Sequence, residues 1–310
     1  VTIAFLSASQ DIVFDAYRND LLAPQERGAG AAVSVLGYRL AMLVSGGLAL
    51  ILAEKVLGWP GTYRLMAVLF VLLAVATLFV PNVAARARAA TDARREWLGF
   101  VAMVLAGAGG YLLLRQVPWP SWFGDLSGRP FVSLAIDSAT MMLAFAAAIV
   151  AARRVGFPSF TAPWDAFFER RHAVALLLLI VLYKLGDAFA GALSTTFLIR
   201  GAGFTATEVG AVNKALGLVA TIVGALAGGA WLAKRPLYGS LMAFGLLQAV
   251  SNFGYWLIAV LPKSYPLMAA AIGLENLCGG MGTAAFVALL MTLTDRRFSA
   301  AQYALLSALS

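Results

Sequence analysis

Apolar stretches of near-spanning length alternate with short polar breaks along the whole chain. They run over 1–19, 28–52, 62–80, 97–114, 131–152, 173–198, 209–233, 237–261 and 266–293, and a further one starts near Ser299. About 20 apolar residues rising 1.5 Å each cross a hydrocarbon core of about 30 Å as helix. Spanning strands would be about ten residues long with strict alternation, and nothing here alternates. The pattern predicts an all-α, polytopic membrane protein with about nine full transmembrane helices and the start of a tenth. Val1 and Ser310 both lie inside apolar runs, as expected of a segment of a longer chain.

Composition agrees with this pattern and narrows it. Of 310 residues, 61% are hydrophobic and 12% charged, with a mean hydropathy of +0.84. A soluble domain carries about 25% charged residues. The net charge of +8 and pI near 9.9 would suggest a nucleic-acid partner in a hydrophilic chain. Here the basic residues sit in the breaks. With the breaks assigned alternately to two sides, 14 Lys and Arg fall on one side (among them Arg86, Arg88, Arg94, Arg95, Arg153, Arg154, Arg170 and Arg171) and 6 on the other, Arg129 included. The richer side is expected to face the cytoplasm. No nucleic-acid motif competes with this reading. A single Cys and a single His remove disulfide scaffolds, zinc sites and Cys/His catalysis. His172 reads as an interfacial residue and Cys278 as a packing residue.

Ionisable residues inside spans are expensive and mark pathways or partners. In the first span Ser7, Asp11, Asp15 and Arg18 fall within about 80° on a helical wheel, with Gln10 and Tyr17 on a neighbouring stripe. Carboxylates one turn apart push one pKa up, so Asp11 or Asp15 is a candidate proton carrier; the competing reading is that Arg18 neutralises one of them. Lys184, Asp187, Gly191 and Thr195 share a face, where Lys184 either pairs with Asp187 at i, i+3 or meets a substrate. Arg39 lies deep in its span. Lys214, beside Asn213, either faces the interior or snorkels to the headgroups. Glu275 shares a face with Gly279 and Gly282. The deep groups number three cations (Arg39, Lys184, Lys214) and four anions (Asp11, Asp15, Asp187, Glu275).

Glycines recur at seven-residue steps at Gly210, Gly217 and Gly224, at Gly30 and Gly37, and at Gly273 and Gly280, with Gly228 one turn beyond Gly224. Small residues on one face let helices approach closely. Two breaks are unusual. Residues 115–130 are rich in Trp and Pro, so that Trp119 and Trp122 either anchor at the interface or stack on a sugar. In 153–172, Pro163, Trp164, Phe167 and Phe168 precede Glu169, Arg170 and Arg171. With Pro163 in a first turn, this predicts a short amphipathic helix on the inner leaflet. No HExxH, GxSxG or phosphate-loop motif occurs, so an enzyme is not expected.

Several long motifs are familiar. ASQDIVFDAYRNDLL (8–22), RGAGAAVSVLGYRLAMLVSGGLAL (27–50), YKLGDAFAGALSTTFL (183–198), VNKALGLVATIVGALAGG (212–229) and the stretch from GLENLCGGMG to the end (273–310) resemble the AmpG muropeptide permeases, a family of the major facilitator superfamily in the inner membrane of Gram-negative bacteria. Only 97–160 is variable. The resemblance implies a 12-helix core with cytoplasmic termini, in which residues 1–81 are helices 4–6, 82–172 a central connection with two additional helices, and 173–310 helices 7–10 and the start of 11. It places Asp11, Asp15, Lys184, Asp187 and Glu275 on cavity-lining helices. Arg18, Arg27 and Arg297 fall in cytoplasmic loops that align as repeats, a gating position.

What the resemblance implies is a proton-driven importer of N-acetylglucosaminyl-1,6-anhydro-N-acetylmuramyl peptides that works by alternating access, feeds β-lactamase induction, acts as a monomer in the bilayer and needs no cofactor or metal beyond the proton motive force. Asp11, Asp15, Asp187 and Glu275 are then proton-coupling candidates. Gln10, Tyr17, Arg39, Lys184, Asn213 and Lys214 are substrate-binding candidates. The rival readings are a transporter of another anionic solute such as an acetyl-CoA-like one, a membrane-embedded cell-wall enzyme, and a transport-dead sensor.

Overall fold

A computed structural model describes residues 2–82, 92–118 and 130–309, all regular elements of which are helical. Arg86, Arg88, Trp119, Trp122 and Arg129 lie outside the described residues. In chain order the helices are α1 (Thr2–Leu21), α2 (Arg27–Lys55), α3 (Gly58–Phe79), α4 (Ala93–Gln116), α5 (Pro130–Val155), α6 (Pro158–Phe168), α7 (Ala173–Gly201), α8 (Ala206–Leu232), α9 (Leu237–Val260, broken at Asn252), α10 (Tyr265–Leu293) and α11 (Ser299–Ala308). Eight helices among the described residues are long and apolar enough to span a membrane, which makes the chain a multi-pass membrane protein. α1 is helical where a span is predicted but is absent from those eight. Its 20 residues include Asp11, Asp15, Arg18 and Asp20.

The chain divides into two compact units. One comprises α4, α5 and α6. In it α4 and α5 pack along their length, and Arg153 at the end of α5 pairs with Asp165 of α6 at 2.7 Å. α6 begins at Pro158, not at Pro163, which lies inside the helix. The cause is Gly156, whose φ of +73° ends α5 in a left-handed turn and delivers Pro158 to a first helical position, where its missing N–H leaves nothing unpaired. Phe167 is buried, whereas Phe168 stacks on Trp164 and stays half exposed.

The other unit comprises α1–α3 and α7–α11, with α10 at its centre. Of the apolar window of α10, 56% is buried, against 6% for α2 and for α3; the exposed Phe70, Leu72 and Leu73 of α3 suit hydrocarbon solvent. The starts of α8 and α10 are set by local chemistry. Thr205 and Glu208 form a reciprocal capping box at the start of α8. Ser264 accepts from the Leu267 N–H at the start of α10.

α8 and α10 touch backbone to backbone. A Cβ on Gly224 would sit 2.0 Å from the Leu277 carbonyl oxygen, and one on Gly280 would sit 2.3 Å from that of Thr221. The seven-residue glycine steps are therefore contact positions here, although Gly210 and Gly37 have nothing within 4 Å. α2 also packs on α8, where Gly229 faces Ala32, and it reaches α10 as well.

This contact is testable in purified protein by thermal unfolding in detergent. Gly224→Ala forces the helices apart and is expected to lower stability by about 1–3 kcal/mol. Gly210→Ala meets open space and is expected to be neutral or stabilising by up to about 1 kcal/mol. Equal melting temperatures for the two variants would contradict the packing described.

Candidate functional site

A polar concavity lies within the unit built from α1–α3 and α7–α11. It is a cavity of roughly 340 Å³ lined by Arg39 of α2, by Lys184, Asp187, Ser194 and Thr195 of α7, by Asn213 and Thr221 of α8, by Gln248 of α9, and by Glu275, Asn276 and Thr283 of α10. An adjoining cavity of roughly 520 Å³ shares Arg39, Asn213, Thr221 and Asn276 and adds Lys214, Gly46 and Gly47. So many polar groups inside apolar helices lie where membrane proteins keep aqueous binding sites.

Helical periodicity explains the α7 wall, since Lys184, Asp187, Gly191 and Thr195 recur at three- and four-residue steps. Lys184 Nζ is 3.1 Å from Asp187 Oδ2 and donates to Thr283 Oγ1 at 3.4 Å. It also lies 5.6 Å from the centre of the Phe286 ring, on which Tyr183 stacks. The second Asp187 oxygen accepts from Gln248 Nε2. A cation, a carboxylate, an amide and a hydroxyl from α7, α9 and α10 thus make one network. Lys184 is engaged within the protein.

Glu275 accepts from the Tyr255 hydroxyl of α9. The next residue, Asn276, is held on three sides: Nδ2 donates to the Ile272 carbonyl at 2.9 Å and approaches Asn213 Oδ1 at 3.5 Å, and Oδ1 lies 3.1 Å from the Thr221 hydroxyl. Arg39 is different. Its Nε is buried with no hydrogen-bond partner, and it has no ion pair among the described residues.

Of the residues singled out in the sequence, the structure brings together Arg39, Lys184, Asp187, Asn213 and Glu275 in one cavity, with Lys214 in the adjoining one. Gln10, Asp11, Asp15 and Tyr17 of α1 line neither. Asp15 pairs with Arg18 at 2.8 Å, Tyr17 donates to the Pro81 carbonyl at 3.0 Å, and Gln10 and Asp11 are exposed.

Several polar contacts gather where α1 ends. Arg18 donates to the Tyr303 hydroxyl at 2.7 Å, Ser299 donates to Asp20 at 2.9 Å, and Arg296 donates to the Leu22 carbonyl at 3.2 Å. These contacts tie the end of α1 to the α10–α11 corner. Arg297 pairs with Asp295 at 2.7 Å. Arg27 lines a separate cavity of roughly 250 Å³ with Lys234 and Arg235.

Sequence reasoning missed Gln248, Tyr255, Asn276 and Thr283. Gln248 and Asn276 carried a usable signal, being amides inside apolar helices. It also missed two π-helical turns, Val44–Leu48 in α2 and Asn213–Gly217 in α8, which widen the helix just where Gly46, Gly47, Asn213 and Lys214 line the larger cavity.

Fold and site together define a multi-pass helical membrane protein with a polar cavity inside its helix bundle. No family model matches the chain. It is 50% identical, over all 310 of its residues and 50% of the relative's length, to the anhydromuropeptide permease of Escherichia coli K12. It is 30% identical to the putative transporter AmpG 4 of Rickettsia felis, covering all of this chain and 61% of that one. To the putative transporter AmpG 1 of Rickettsia prowazekii it is 26% identical over 99% of this chain and 64% of that one. The chain spans about half to two thirds of the length of these relatives, and all of its own length aligns with the first two.

The Lys184–Asp187 pair lends itself to a double-mutant cycle. Lys184→Met and Asp187→Leu each strand a part-buried charge and are each expected to cost on the order of 1–3 kcal/mol. The double variant is expected to recover part of that loss, so that melting in detergent gives a coupling above about 0.5 kcal/mol. Additive losses would show that the two side chains do not act as a pair.

Proposed function

We propose that this chain forms part of a proton-coupled importer that carries N-acetylglucosaminyl-1,6-anhydro-N-acetylmuramyl peptides across the inner membrane of a Gram-negative bacterium by alternating access, supplying cell-wall recycling and the cytoplasmic signal for β-lactamase induction. The observation that supports it most is the polar cavity inside apolar helices, where Arg39, Lys184, Asp187 and Glu275 meet. The printed name of the 50% identical E. coli protein, an anhydromuropeptide permease, supports the substrate class. A disaccharide peptide offers hydroxyls, amides and carboxylates. The cavity offers acceptors at Asp187 and Glu275, amides at Gln248, Asn213 and Asn276, and cations at Arg39 and Lys214. Asp11, Asp15, Asp187 and Glu275 are the proposed proton-coupling set. Asp187 and Glu275 face the polar cavity, so a proton and a substrate there would compete for, or share, the same hydrogen-bonding groups. In this reading the protein is a secondary active transporter driven by the proton gradient, and it performs no covalent chemistry on its cargo.

A cationic cavity also suits other anions, and the experiment separates these. Cells or inverted vesicles expressing the complete gene are expected to accumulate labelled anhydromuropeptide, and collapse of the pH gradient is expected to abolish the concentration step. Uptake of an acetyl-CoA-like solute in its place would favour the other-anion reading. Cargo recovered chemically altered would favour an enzyme. No uptake alongside a working control would sink the proposal.

The proton role has its own test. Among Asp11→Asn, Asp15→Asn, Asp187→Asn and Glu275→Gln, at least one variant is expected to lose concentrative uptake while retaining substrate exchange. If all four concentrate cargo like the unmodified protein, the proton is carried elsewhere.

A further inference from the structure

Two cations of the membrane interior, Arg39 and Lys214, have no ion pair among the described residues. Arg39 is about 18 Å along α2 and Lys214 about 12 Å along α8 at 1.5 Å per residue, so both lie two or more turns inside their helices. Both border the cavity of roughly 520 Å³, and Arg39 reaches the neighbouring one as well. A guanidinium held at that depth with a buried, partnerless Nε is costly unless an anion or water satisfies it.

The wall beside it is bare. Gly46 and Gly47 have nothing within 4 Å of an added Cβ, and each lies in the π-helical turn Val44–Leu48. The facing π-helical turn, Asn213–Gly217, carries Lys214. Lys184, by contrast, is already engaged by Asp187 and Thr283.

We infer that Arg39 and Lys214 form a carboxylate-recognition subsite in the cavity between α2 and α8, taking a free carboxylate of the cargo's peptide arm while Asn213 and Asn276 present amide groups beside it. The inference rests on the muropeptide reading above and deepens it. Arg39 supplies the planar fork that matches a carboxylate with two parallel bonds, and Lys214 supplies a point charge. Lys184 is excluded from this role because its charge is spent on Asp187.

The test compares initial uptake rates, in proteoliposomes of the full-length protein, for an anhydromuropeptide with free carboxylates and for the same compound with every carboxylate capped as an amide. The unmodified protein is expected to show a KM about tenfold or more higher for the capped cargo. Arg39→Gln is expected to raise KM about tenfold for the free cargo and less than about twofold for the capped one, erasing the discrimination. Arg39→Lys, which keeps the charge and loses the fork, should fall between. Lys214→Gln, on the exposed side of the cavity, should shift KM in the same direction, and it carries the comparison if Arg39→Gln does not insert. Equal effects of these variants on both cargoes, or no effect on either, would overturn the subsite while leaving muropeptide transport standing. Failure of the unmodified protein to move either cargo would remove the transport reading, and the subsite with it.

Discussion

The approach of α8 to α10 at Gly224 and Gly280 governs where everything else in the larger unit can sit. In lipid the outer surface of a helix gains nothing by meeting another apolar surface, so association relies on close packing and hydrogen bonds. A Cβ at 2.0 Å from a carbonyl oxygen has no room to exist, which means the interhelical distance is set by backbone rather than by side chains. Thr221 and Asn276 lie within one turn of these glycines, and their 3.1 Å contact is possible only at that spacing. The floor of the polar cavity is therefore a consequence of the glycine contact.

The same contact decides which charges are satisfied internally. α10 brings Thr283 to Lys184 and Glu275 to Tyr255, and α9 brings Gln248 to the second oxygen of Asp187. α2 reaches α8 through its own small-residue contact at Ala32 and Gly229. Further along α2 lies the π-helical turn Val44–Leu48, and Arg39 borders both cavities with no ion pair among the described residues. Two classes of charge within the helices result: a networked Lys184–Asp187 pair, and an Arg39 with no ion pair among the described residues. The +8 net charge does not distinguish them, because the loop cations dominate it.

Much of this was legible in the residues. Helical periodicity puts Lys184, Asp187, Gly191 and Thr195 on one face, and the seven-residue glycine step marks the contact surface, because both follow from 3.6 residues per turn alone. Periodicity names a face but not the neighbour that covers it, so the partners Gln248, Tyr255 and Thr283 stayed hidden, being distant in sequence. Asn276 was read past because Glu275 beside it carried the charge. A π-helical turn inserts a residue into the repeat and shifts phase, which is why Asn213 and Lys214 could not be assigned to one wall by counting. Pro163 was misread as a helix start because Pro158, with Gly156 before it, fits that position better.

The polar ties at the end of α1 and the glycine contact differ in how readily they can be exchanged. Arg18 with Asp15 and Tyr303, Asp20 with Ser299, and Arg296 with the Leu22 carbonyl join α1 to the α10–α11 corner through part-buried side chains, whose polar groups can exchange one hydrogen-bond partner for another. Backbone packing at Gly224 and Gly280 has no such substitute, since separating those helices would leave voids that lipid cannot fill without loss of contact. Any rearrangement within this unit would therefore yield first at the polar ties, with α8 and α10 moving together. The cavity walls contributed by α8 and α10 keep their geometry through such a rearrangement, because the backbone contact between them fixes the distance at which Thr221 and Asn276 meet.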